Sequence, residues 1–86
     1  MYKLISITDK KDNQLTDKLH KKYIGSLVKS IEPTQSGGLL IKCISENNKN
    51  KGMLTTKVED VWELPDENET VIVMETENSR YYFMEV

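Results

Sequence analysis

Apolar positions along this chain come in short runs separated by polar breaks, and their periods differ. Tyr2–Thr8 alternates loosely, with Leu4 opposed to Ile5 and Ile7, and predicts an edge strand. Leu15, Leu19 and Tyr23 then recur four apart, the spacing of one helix face, with Asp12 placed to cap its start. The stretch Asp9–Lys22 is therefore either a short helix or a long solvated loop. Tyr23–Ile31 predicts a strand bent at Gly25, since glycine inside a strand marks a bulge or a corner. Glu32–Gly38, with Pro33 and Gly37-Gly38, predicts a loop. Leu39–Ser45 is the next strand, with Leu39, Ile41 and Cys43 on one face. The polar run Glu46–Gly52 connects it to a short strand at Met53 and Leu54.

The last third of the chain carries the densest signal. Thr56-Lys57-Val58-Glu59 matches a capping box, which predicts one helical turn over Lys57–Asp60. Val61–Leu64 returns to strand and Pro65–Glu69 turns. Thr70–Thr76 and Arg80–Val86 then flank only Glu77-Asn78-Ser79, a tight hairpin apolar on both faces. Adjacent strand residues face opposite ways, so Tyr81 and Phe83 share one face and Tyr82 and Met84 the other. One set fills the core. The other is either exposed or covered, and Leu15 and Leu19 are the expected cover.

Short strands joined by short loops predict a single, mainly β domain over residues 1–86, a small antiparallel barrel. Over Tyr23–Val86 the order of a bent strand, a meander, one helical turn and the final strands resembles the SH3-like barrels. The resemblance lies in pattern and implies architecture only. Neither the acidic-aromatic peptide-binding signature of signalling SH3 domains nor the glycine-centred signature of the ribosomal and transcription-factor barrels is found. An OB-like barrel is the alternative, with Asp9–Lys22 as its extra helix.

At 86 residues the chain buries only about 60–65% of its unfolded surface, room for one core. Charged residues reach 30% with both signs mixed, unlike a disordered chain. The layout is uneven. Residues 1–51 hold ten lysines against five acidic residues, whereas residues 52–86 hold Lys57 and Arg80 against nine. This is either a functional dipole or two solvated halves that interleave on folding. The longest apolar run, Val71–Met74, is too short to span a membrane. No signal peptide is read at the start, and the single Cys43 has no internal disulfide partner. Both point to a reducing cytoplasm. The lysine, asparagine and isoleucine bias is that of an AT-rich coding sequence, from a bacterium or a mobile element.

Catalytic raw material is scarce. His20 is the only histidine, set among Lys18, Lys21 and Lys22, with no second ligand for a metal. Cys43 shares a strand face with Leu39 and Ile41 and reads as a small buried hydrophobe. Asp66, Glu67 and Glu69, like Asp9, Asp12 and Asn13, lack the glycine and ligand spacing of a calcium loop. No cofactor, metal or catalytic residue is expected, so the reading is a binding module rather than an enzyme. Its first candidate surface is for protein: an aromatic patch of Trp62 and Tyr82 beside the acidic Glu63, Asp66 and Glu67. Its second is for nucleic acid: Lys18, Lys21 and Lys22 on phosphate, within the lysine-rich segment 10–29, with Tyr23 stacked on a base. An acidic chain with a pI near 5.4 disfavours the second. A monomer or weak head-to-tail self-association fits the charge layout.

Overall fold

The computed structural model describes residues 1–15, 18–44, 50–65 and 69–86. It is mainly β, with strands β1 (Tyr2–Thr8), β2 (Leu27–Pro33), β3 (Leu39–Ile44), β4 (Asn50–Leu54), β5 (Val58–Pro65), β6 (Thr70–Thr76) and β7 (Arg80–Glu85). They form one antiparallel sheet of order β4-β3-β2-β1-β7-β6-β5. The only helix among the described residues is a single turn, α1 (Lys18–Lys21). No described helix is long and apolar enough to cross a membrane.

Two local expectations fail. The capping box over Thr56–Glu59 forms no helical turn: Val58 onward is β5, in register with β6 from Val58↔Thr76 to Pro65↔Thr70. A four-residue box offers two hydrogen bonds, and a full strand ladder outweighs them. The strand expected from Tyr23 starts only at Leu27. Tyr23–Gly25 is a turn, with Gly25 at φ 90°, where a side chain would be strained. Asp9–Asn13 is a tight loop rather than a helix, held by the Asp9 carboxylate. That group accepts from the Lys11 and Asn13 backbone N–H groups, which hold its pKa below the usual value.

β1 is not an edge strand but the middle of the sheet. It pairs with β7 along its length and with β2 only at Tyr2↔Val28 and Lys3↔Leu27, and it bulges between Leu4 and Ser6. Two triplets of strands, β2-β3-β4 and β7-β6-β5, hang from its two sides. Antiparallel alternation makes the two edges, β4 and β5, run in the same direction. Flat, such a sheet would hold them about 29 Å apart, at about 4.8 Å per strand. Yet Leu54 and Val58 are joined by Thr55–Lys57 alone, which spans about 15 Å at most. The sheet must therefore fold over on itself into two layers. The smallest dimension of the molecule, 24 Å, agrees. The layers are not sealed, because β4 pairs only with β3 and β5 only with β6. The closed barrel expected from sequence is thus a folded-over, open sheet.

The core lies between the layers. Leu4, Ile7, Met74, Tyr81 and Phe83 come from one side and Val28, Ile41, Cys43 and Met53 from the other. Cys43 is buried, as its strand face implied. The Thr55–Lys57 link clamps one end. Thr55 N–H donates to the Leu39 carbonyl and Val58 N–H to that of Gly37, while the Lys57 carbonyl accepts from Glu77 N–H. Burial raises the Cys43 thiol above its ordinary 9.0. Burial likewise raises Tyr81 above 10.0, and a contact with Ser79 offsets only part of that. Both groups are acids favoured neutral in the folded chain, so the unfolded chain loses its protons first. The contribution of these two groups to stability should be flat below about pH 9 and fall as pH climbs past each ordinary value. Urea unfolding between pH 8 and pH 11 measures this, and Tyr81→Phe should remove the part of the decline above pH 10.

Candidate functional site

The ladder sorts β5, β6 and β7 into two faces. Val61↔Met74↔Tyr81 and Ile72↔Phe83 point between the layers. Trp62↔Val73↔Tyr82 and Leu64↔Val71↔Met84 point outward. Val73 decides how to read that outer face. It is 0% exposed yet stands apart from the core cluster, so its cover must come from its own side of the sheet. Trp62 and Tyr82, its cross-strand neighbours, are both half-buried, and pairs in register approach within about 5.5 Å. Leu64 is exposed and Val71 and Met84 are half-buried beside them. The outer face thus carries a continuous apolar strip.

An ionic rim holds this strip at one end. The Arg80 guanidinium lies 5.9 Å from the Trp62 ring centre. Its Nε donates to Glu75 Oε1 at 3.0 Å and its Nη1 to Asp12 Oδ1 at 2.8 Å. The Tyr82 hydroxyl donates to the same Asp12 oxygen at 3.0 Å. Asp12 sits at φ 64°, a left-handed conformation that aspartate tolerates in tight loops. The expected cover by Leu15 does not form. Leu15 packs against the core instead, because its N–H donates to the Ile7 carbonyl and draws it along β1. Asp12 touches Tyr82 in its place, and the Leu19 side chain lies outside the described residues.

Of the acidic residues, Glu63 is exposed on β5. It points to the core-facing side in register with Ile72, not to the face of Trp62. Asp66 and Glu67 lie outside the described residues. The nucleic-acid set does not assemble as expected. Tyr23 is 7% exposed and its hydroxyl donates to the Gly52 carbonyl at 2.8 Å, so its ring is not open to a base. It belongs to the core because the Tyr23–Gly25 turn tips it inward. Lys22 lies over its ring, 5.1 Å from the centre, and Lys10 pairs with Glu59. Lys21 is exposed, and the Lys18 side chain lies outside the described residues.

Two hollows escaped the sequence reading. Lys29, Lys42 and Lys51 surround one of about 380 Å³ over Gly52. Tyr2, Ile31, Leu39, Val61, Ile72, Met74 and Phe83 line another of about 190 Å³ where the layers part, with no polar surface. The first draws on three strands and the second on six, so no local pattern encodes either. No group of three metal-capable side chains occurs among the described residues. Comparison of the chain with known protein families, with curated proteins and with solved structures finds no match.

Proposed function

We propose that this protein is a non-catalytic binding module that recognises a basic protein partner through the convex face of β5–β7. The observation that carries the reading is Val73, fully buried on an outer face by the surrounding Trp62, Tyr82 and Leu64 strip. An amphipathic tryptophan and tyrosine around an apolar floor, with an arginine fixed at the rim, is the composition of a binding hot spot. The exposed Asp60, on the same face of β5 as Trp62 by alternation, favours a partner of opposite charge. The SH3-like architecture is part of the same proposal, supported by the folded-over sheet and the short β4–β5 link. So is a reducing cytoplasmic setting, supported by one buried free thiol.

The test is capture from nuclease-treated lysate by the tagged protein at low and high salt. A basic protein should be retained, lost with Trp62→Ala or Tyr82→Ala, and still retained by Lys42→Ala on the other layer. Capture that is indifferent to both aromatic substitutions sinks the convex-face reading. Recovery of nucleic acid that vanishes with salt overturns it in favour of the lysines.

A further inference from the structure

We propose that the free edge of β5 receives an extended basic segment of the partner as an eighth strand, with its alternate apolar side chains entering the hollow between the layers. This rests on the protein-binding reading and names how the partner is held.

An open sheet has two edges, and they are not alike. At β4 the middle of the edge is engaged: the Tyr23 hydroxyl donates to the outward carbonyl of Gly52 at 2.8 Å. At β5 the first residue is engaged by a distant segment, Val58 N–H donating to the Gly37 carbonyl at 3.1 Å. Further along, Val61 N–H is taken by the carboxylate of its neighbour Asp60, at 2.8 Å. That bond shows which way the strand faces. Val61 turns its backbone polar groups away from β6, and by the two-residue period so does Glu63. Pro65, the next outward position, has no N–H to give, so the usable edge is short and ends there.

The side chains around this edge define what fits. Val61 is 56% exposed although it faces the core side, because it borders the hollow of about 190 Å³ lined by Ile31, Leu39, Ile72 and Phe83. A strand laid beside β5 would direct every second side chain into that hollow. Asp60 and Glu63 flank the same edge, exposed, with no ion pair among the described residues. An incoming carbonyl would replace the Asp60 carboxylate on Val61 N–H, releasing that carboxylate to pair with a lysine or arginine of the partner. A second copy of β5 is disfavoured as occupant, since it would set Asp60 and Glu63 against their own kind.

The test is fluorescence anisotropy of the intact protein with a labelled peptide alternating valine and lysine. Two controls are the same peptide N-methylated at alternate residues and a valine–glutamate version. The first peptide should bind saturably. Both controls, and the Asp60→Lys and Glu63→Lys variants with unchanged circular dichroism, should bind at least about tenfold more weakly. Lys42→Ala, on the other layer, should leave peptide binding unchanged. No saturable binding, or binding indifferent to N-methylation, overturns strand addition. Lysate capture that depends on Tyr82 but not on Asp60 or Glu63 also overturns it, and leaves the convex-face reading standing.

Discussion

Gly38→Ala should destabilise the protein by about 3 kcal/mol, at the upper end of what overpacking costs. A Cβ placed on Gly38 would lie 2.2 Å from the Thr55 carbonyl oxygen and 2.9 Å from that of Thr56. Both obstacles are backbone, so no side chain can swing aside. Nor can the link retreat. Thr55 is bonded to Leu39 twice, through its own N–H and through its hydroxyl, which accepts from Leu39 N–H. Separating them costs the clamp that holds β4 and β5 at one end of the layers. Gly37→Ala is the informative companion. Its φ of 87° penalises a side chain, but its nearest obstacle, at 3.2 Å, is the flexible Lys57 side chain. The Gly37 change should cost about 1 kcal/mol, the usual left-handed penalty. Urea denaturation of both variants reads the difference, and equal costs would mean that close approach is not what fixes Gly38.

Leu4→Ala should cost about 3 kcal/mol, within the range for buried leucines. Leu4 is 0% exposed and stands at the bulge in the one strand shared by both layers. Its N–H donates to the Ser26 carbonyl, and its own carbonyl accepts from Gly25 N–H at 2.7 Å. Neighbours pinned on both sides cannot collapse into the space left behind, so the cavity term is retained almost whole. Ile5, at the same bulge but half-buried, provides the contrast: Ile5→Ala should cost less than half as much. A midpoint shift of similar size for the two would count against this account of the core. Against a total stability of about 5–10 kcal/mol for a domain of this kind, either large change is readily measured.

What the sequence revealed depended on how local the cause was. The final hairpin around Glu77–Ser79, the strand at Leu39, the turn at Gly37-Gly38 and the burial of Cys43 all follow from neighbours a few residues apart, and all are present. Trp62 and Tyr82 were legible as a pair because alternation assigns faces, although their shared floor, Val73, needed the β5–β6–β7 register. The failures are non-local. Thr56–Glu59 satisfies a helix cap on paper, but Glu77 and Gly37 claim the same stretch as link and strand. Tyr23 alternates like a strand residue, yet it engages the middle of the β4 edge, and Gly25 lets the chain turn to do so. β1 has the polarity of an edge strand and is placed at the centre by partners at the far end of the chain.

That central position of β1 shapes how the chain finds its fold. Each triplet of strands is a meander of neighbours in sequence, whose hairpins close over short loops within microseconds. β1 is different: Tyr2 pairs with Glu85, so its docking closes the longest loop in the molecule. Such distant closure is what slows two-state folding. During synthesis β1 has no β7 to pair with until the last strand has been made. Until then two half-built layers expose Leu4, Ile7 and Met74 to whatever else is near, and it is in this interval that the chain is open to aggregation.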